Sequence, residues 1–304
     1  MQPMLKIVGL GEILWDMLPS GKQLGGAPSN FAYMASLLGD EGLVASRVGR
    51  DVLGKETLRR MARLGLGTQF VQLDSQHPTG TARVSVDQHG QPAFTITEQV
   101  AWDFMEWTPA WEDLAQHTDI ACFGTLAQRS LQSQKTVQNF LRAIPQKSLR
   151  VFDVNLRQKY YNAELLADSL NLCQVVKVNH EELPVVSHLL ALKFGSEEAA
   201  ARRLLDEYEL KLVCVTRGGS GSLLVSTSGT SSHPGFRVQV ADTVGAGDAF
   251  TACLAHHLAR GASLETINEN ANRFAAWVAS QRGGTPSLGK KTPQEALQAI
   301  AGDK

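Results

Sequence analysis

Asp242-Thr-Val-Gly-Ala-Gly-Asp-Ala-Phe-Thr-Ala-Cys-Leu254 is the stretch on which the reading of the chain turns. It reads as a strand end, a glycine-rich turn and the start of a helix. Gln239 to Asp242 close an alternating segment, and Gly245-Ala246-Gly247 carry almost no side chain. From Ala249 the apolar residues Phe250, Leu254 and Leu258 recur at helical spacing, until Arg260-Gly261 supplies a basic last turn and a glycine stop. The three small residues therefore fall at a helix N-terminus, where unpaired backbone N–H groups attract anions, phosphates above all. Asp248 lies in the first turn, where the helix dipole favours a carboxylate. Taken alone, GxGD is also compatible with an acidic residue that merely opens a helix.

Composition sets the frame around this turn. The chain has 304 residues, 43% of them hydrophobic, and a net charge of −1. That length allows one large α/β domain or two smaller ones. Balanced charge offers no footprint for nucleic acid or an anionic membrane. No run approaches the roughly 18 apolar residues of a membrane span. The N-terminus enters a strand pattern at once and lacks a signal-peptide layout. Cys122, Cys173, Cys214 and Cys253 fit no zinc or CxxC spacing and sit in apolar surroundings, so buried thiols in a reducing, cytoplasmic setting are expected.

Upstream, Lys6-Ile-Val-Gly-Leu-Gly11 reads as a buried strand leaving into a glycine turn. Gly9-x-Gly11 invites a dinucleotide-binding reading, but the third glycine position is Leu14 and no helix follows. Instead Glu12 to Leu18 continues extended, with Glu12, Leu14 and Asp16 on one face. In Leu24-Gly-Gly-Ala-Pro-Ser-Asn-Phe-Ala32 two glycines let a ligand approach the backbone, and Pro28-Ser29 begin a helix that stops at Gly39. Asn30 would project beside those glycines, free to exchange hydrogen bonds with a polyol. Gly49-Arg-Asp-Val-Leu-Gly-Lys55 matches GxxxxGK, but Glu56 replaces the P-loop hydroxyl, and the match is a decoy. Thr81 to Thr97 alternates around Asp87-Gln-His-Gly90 and reads as a hairpin.

Beyond Asp119 the pattern becomes strand–helix–strand. Ile120–Phe123, Arg150–Val154, Val175–Val178 and Leu212–Val215 are apolar runs, each followed by a polar cluster. Such runs between helical stretches predict a parallel sheet covered on both faces. The clusters then lie at its carboxyl edge, where open α/β sheets bind ligands. Thr216 to Gly221, with Gly218, is a small-residue loop suited to nucleotide contact. Ile267 to Arg282 reads as a helix with Ala271, Phe274, Ala275, Val278 and Ala279 inward, from which Asn272 could reach adenine. His256-His257 falls mid-helix, where adjacent residues diverge, so it makes no metal pair.

The two glycine-rich stretches resemble the two signatures of the ribokinase (PfkB-type) carbohydrate kinases, the first in the GGAPxNxA form common among fructokinases. The one departure in the second is Cys253, where the family has glycine or alanine; altered packing is expected and no lost chemistry. The resemblance runs nearly end to end. It implies a single ribokinase-like α/β domain over residues 1–304, with a mostly parallel sheet and a small β lid built from about 12–24 and 79–105. It implies Asp248 as the base, and the amides of Gly245, Ala246 and Gly247 as an anion hole. Asp16, Gly26 and Asn30 would touch the sugar. Asp153-x-Asn-x-Arg157 resembles a run near the phosphates, with Arg157 a further substrate contact, and Asn179-x-x-Glu182 resembles a motif that arranges Mg²⁺ through water. Thr216, Gly218 and Gly221 match the ATP-site loop. Asp242, Val244 and Ser287 fall near a K⁺ site. VGxDxxG would lead into a surface helix, here Lys55 to Leu64, and lid strands would pair in a homodimer.

The expected reaction moves the γ-phosphoryl group of ATP to a primary hydroxyl of a small sugar, D-fructose first. Many fructokinases carry Phe-Tyr-Arg after the lid, where this chain has Ile96-Thr-Glu98; a carboxylate there would repel a sugar acid. A 2-keto-3-deoxygluconate kinase or ribokinase is the near rival, and a sugar sensor of the same fold is the rival from another class.

Overall fold

A computed structural model of the chain describes residues 3–18, 21–86, 92–193 and 195–289, with Thr292 and Glu295. Its centre is a nine-stranded sheet. From one edge the order is Gly229–His233, Ser222–Ser226, Leu212–Thr216, Val175–Asn179, Leu149–Asp153, Ile120–Phe123, Lys6–Leu10, Glu41–Gly49 and Val71–Asp74. Every pairing from Leu212–Thr216 to Val71–Asp74 is parallel, while Ser222–Ser226 and Gly229–His233 add an antiparallel hairpin at the other edge.

Strand residues alternate between two cores, which explains why the central strands are apolar throughout. Val8, Leu10, Phe123, Phe152 and Val178 pack on one face, while Ile7, Val44, Ile120, Val151 and Val175 pack on the other. The second face carries the helices Ala27–Leu37, Ala246–Leu258 and Leu264–Ala279. The architecture is therefore three layers, helix on sheet on helix, as the sequence implied.

A separate four-stranded sheet stands apart, in the order Gly21–Gly25, Leu14–Leu18, Gly80–Val86, Pro92–Ile96. Leu14–Leu18 pairs antiparallel with Gly21–Gly25 and parallel with Gly80–Val86. The hairpin turn expected at Asp87-Gln-His-Gly90 lies outside the described residues. Arg129, from the segment after Ile120–Phe123, anchors the base of this sheet. It forks onto Asp103 at 2.7 and 2.8 Å, donates to the Thr97 carbonyl, and stacks between Trp102 and Tyr160.

Three boundaries depart from expectation. Gln239 to Asp242 is not a strand end: Val240 is 60% exposed, and the Ala241 and Asp242 amides donate to the Ala279 carbonyl instead of a ladder. The helix expected over Lys55–Leu64 spans Val52–Arg63, because Asp51 caps it by accepting from the Gly54 amide at 2.7 Å. The helix expected over Ile267–Arg282 spans Leu264–Ala279, capped by Ser263 through the Thr266 amide. All four cysteines are buried and free. Among the described residues no helix is long and apolar enough to cross a membrane.

Candidate active site

One wall of the site comes from the small sheet and the helix it feeds. Asp16 pairs in register with Gln23, and Leu14 with Gly25, so these residues share a face. A Cβ on Gly25 would stand 2.5 Å from Asp16 Oδ2; the glycine leaves room for that carboxylate. Burial raises the Asp16 pKa, and the Arg157 charge opposes the rise. Gly26 caps the helix Ala27–Leu37, whose first turn carries Asn30, 4% exposed. Asn30 Nδ2 donates to Asp248 Oδ2 at 2.8 Å, while its Oδ1 is buried without a hydrogen-bond partner. A buried acceptor left unpaired is costly unless something arrives to satisfy it.

The opposite wall is the glycine turn. Gly245 has φ +79°, and a Cβ there would meet the Gly284 backbone at 2.7 Å, so only glycine fits between the two turns. The helix starts at Ala246, which puts Gly247 and Asp248 in its first turn. The Asp248 pKa is raised to about 6, chiefly by burial and then by the Asp153 charge; the Asn30 hydrogen bond, Lys177 and Arg157 oppose this. Glu12, Asp153, Asn155 and Asp248 line one narrow pocket. Glu12 is 4% exposed, and burial lifts its pKa to about 7, with Arg157 pulling down and Asp248 adding to the rise.

Beneath the turn lies a buried cation. Lys177 Nζ contacts Asp153 Oδ1 at 3.0 Å, and Thr251 donates to Asp153 Oδ2 at 2.9 Å. A Cβ on Gly247 would stand 3.2 Å from Lys177 Nζ, so the ammonium sits against the turn itself. Burial disfavours its charge, yet Asp153, Glu182 and Asp248 together hold its pKa above the usual lysine range. Arg157 is exposed, and its charge acts on Glu12, Asp16 and Asp248 together.

The remaining sequence candidates are mostly engaged within the protein. Asn179 Oδ1 accepts from the Glu182 amide at 2.8 Å, and Glu182 Oε2 accepts from the Asn179 amide at 2.9 Å, a reciprocal capping box. The other Glu182 oxygen accepts from the Leu156 amide, joining two strand ends. Thr216 ends its strand, and its carbonyl accepts from the His180 amide. Gly218 faces open space, whereas Gly221 packs against His233 to Gly235. Asn272 is turned inward, donating to Ser222 Oγ at 2.7 Å and the Asn268 carbonyl at 2.8 Å. Asp242 accepts from the Val244 and Gly283 amides, and Ser287 from the Gly289 amide. Among the described residues no group of three or more His, Cys, Asp or Glu could hold a metal.

Three residues at or near the site were missed. Glu12 could have been found from its parity with Asp16. Lys177 is the one charge in the otherwise apolar run of Val175–Asn179, which is a readable anomaly. Arg129 has no local signal, because the residues it anchors are distant in sequence. Glu98, read as a charge facing the acceptor, is exposed and hydrogen-bonded by Tyr160 Oη at 2.8 Å.

The sequence profile of the pfkB family carbohydrate kinases matches residues 20–291. A fructokinase of Salmonella typhimurium is 31% identical over 84% of each chain, and a deoxyribokinase of Salmonella typhi is 27% identical over 85% of this chain and 82% of its own. The crystal structure of an uncharacterized sugar kinase from Pyrococcus horikoshii in complex with ATP superposes with a TM-score of 0.79. It is 25% identical and covers 97% of this chain and 99% of its own.

Proposed function

The chain belongs to the pfkB family of carbohydrate kinases, and from that premise we propose that it transfers the γ-phosphoryl group of ATP to a primary hydroxyl of a neutral sugar, D-fructose first. The observation that carries the reading is the 2.8 Å hydrogen bond from Asn30 to Asp248, which joins the two glycine-rich stretches into one constellation. Asp248 takes the proton of the attacking hydroxyl; a pKa near 6 leaves it ionised at neutral pH yet basic enough to accept. Asn30 fixes one carboxylate oxygen and leaves the other for that hydroxyl. Its unpaired Oδ1, with Asp16, accepts from other hydroxyls of the sugar.

Phosphoryl transfer passes through a loose transition state, so catalysis lies in positioning and fixed charge. The Gly245–Gly247 amides and the Lys177 ammonium behind Gly247 supply positive potential where charge accumulates. Mg²⁺ carried with ATP would neutralise its phosphates; the donor set fits such an ion only through water, because both Glu182 oxygens already accept amides. Asp242, Val244 and Ser287, at turns that touch through Gly245 and Gly284, are the residues that would hold a monovalent cation. Thr216 to Gly221 would take the nucleotide, whereas Asn272 supports that wall from inside.

Fructose as the acceptor is supported by the GGAPSNFA form of the first signature and by the fructokinase relative. The Glu98 argument against a sugar acid loses force, since the Lys159 ammonium lies 3.7 Å from that carboxylate and offsets its charge. The test is ADP release under identical Mg-ATP with fructose, ribose, tagatose, glucose and 2-keto-3-deoxygluconate. Should any other sugar exceed fructose about tenfold in kcat/KM, the specificity is wrong and the kinase stands. If no sugar releases ADP, the activity is wrong. We also propose a single cytoplasmic domain that pairs through its lid as a homodimer, which covers the exposed sheet edges; light scattering on the purified chain checks the dimer.

A further inference from the structure

Away from the Glu12–Asp248 pocket, a second cavity of about 160 Å³ opens between the small sheet and the body. Its walls are Gln23 and Leu24 from the strand Gly21–Gly25, Arg60 from the helix Val52–Arg63, and Arg282 to Thr285. No carboxylate lines it, and among the described residues neither Arg60 nor Arg282 has an ion-pair partner. The nearby acids are engaged elsewhere: Glu56 with Lys22, and Asp242 with the Val244 and Gly283 amides. Arg59 and Arg63 on the same helix add to the positive potential. In a chain of net charge −1, this corner holds unpaired cations against one small cavity.

The Arg60 charge acts on the Tyr33 phenol, and Tyr33 Oη donates to the Pro286 carbonyl at 2.8 Å, so the guanidinium lies by the 283–286 turn. Two guanidinium-bearing side chains on separate elements line the same cavity as the Gln23 amide, a chemistry suited to the oxygens of a phosphate group. We propose that this cavity is a binding site for a phosphate dianion, either free or carried on a phosphorylated sugar, distinct from the glycine turn that faces Asp248.

The position gives such a ligand leverage on the acceptor wall. Gln23 shares its register and face with Asp16. Gly284, on the other wall, packs against the Asn30 amide: a Cβ there would lie 3.1 Å from Nδ2. An anion held by Gln23, Arg60 and Arg282 therefore ties the lid strand to the turn that buttresses Asn30. Binding there and binding of the acceptor are coupled, and the coupling is reciprocal.

The site is tested by calorimetric titration of the full chain with the Mg²⁺ complex of a non-hydrolysable ATP analogue held saturating, so that its γ-phosphate group occupies the glycine turn. Inorganic phosphate and a hexose 6-phosphate are titrated separately. At least one is expected to bind, with Kd weakened about tenfold or more in Arg60→Ala/Arg282→Ala. The double variant should keep its melting temperature and its activity in phosphate-free buffer, because neither residue touches the reacting groups. Arg60→Lys/Arg282→Lys should bind weakly, since charge persists without the fork. Which anion binds identifies the source. Absence of both, or binding unchanged in the Ala double variant, overturns the site. Because no turnover is needed, the result is independent of the kinase reading.

Discussion

The acceptor wall and the nucleotide wall use polar side chains in opposite ways. On the acceptor side, Asp16 and Glu12 have raised pKa values, and Asn30 Oδ1 is buried without a partner. On the nucleotide side, the motif residues are satisfied within the protein: Asn179 with Glu182, Asn272 with Ser222 and Asn268, Arg217 with Glu197. A buried acceptor left unpaired costs stability unless something arrives to satisfy it. On the proposed function, one wall is an instrument of side chains for hydroxyls, and the other a frame whose side chains hold backbone amides and strand ends in place for phosphates.

The largest effect should come where the walls meet. Asp248→Asn is expected to lower kcat by roughly 10²–10⁴ while leaving nucleotide affinity nearly unchanged. In the wild type kcat should fall as pH drops through about 6, where the base is protonated, and that acid limb should vanish in the variant. The raised pKa also bears on stability. A carboxylate whose folded pKa lies above its unfolded value destabilises the native state once ionised, so the handicap grows as pH rises from about 4 to about 6. Thermal melts should show Asp248→Asn more stable than wild type at pH 8 and no more stable at pH 4.

Next in size is the buried cation. Lys177→Met/Asp153→Asn removes both charges and so avoids leaving Asp153 buried and unpaired. Loss of the ammonium behind Gly247 should lower kcat on the order of 10²-fold, with the acceptor KM little changed. A kcat within a few-fold of wild type in a folded variant would mean that Lys177 only braces the sheet.

Asp16→Asn should raise the acceptor KM roughly 10–100-fold, the worth of a charged acceptor for hydroxyl donors, and move the ATP KM far less. Equal shifts in both constants would erase the contrast between the walls. The smallest effects belong to the frame. Asn179→Ala and Asn272→Ala should each cost about 1–2 kcal/mol of stability and change the ATP KM only a few-fold. A large loss of ATP affinity at unchanged melting temperature would show that these side chains touch the nucleotide after all.

Much of the fold was legible because the central strands are buried on both faces and so appear as unbroken apolar runs. Ile120–Phe123 begins and ends where the sequence placed it. Gln239 to Asp242 failed for the converse reason: its alternation is real, but no sheet face receives it. In the candidate site, Asn30 and Asp248 stand out in the sequence because each sits beside glycines, which mark close approach, whereas Asp16 is singled out by the family resemblance. Arg129 and Lys177 could not be assigned a role from sequence. One acts on residues across a long separation, and the other works through a contact with Gly247 that only the folded sheet creates. For Asn272, helical spacing gives the face of the residue and not what that face meets, which is Ser222 and Asn268.

The bond between Asn30 and Asp248 spans 218 residues. During synthesis at roughly 5–20 residues per second, the second partner follows the first by about 10–40 s. The Gly284 turn that packs on both stretches comes later still. Through that interval the ribosome-bound chain carries the lid with Asn30 and Asp16 facing no opposite wall. The Asn30–Asp248 pair thus forms only after the second glycine turn has been made, and a chain that stops short of that turn has no carboxylate to receive the Asn30 amide.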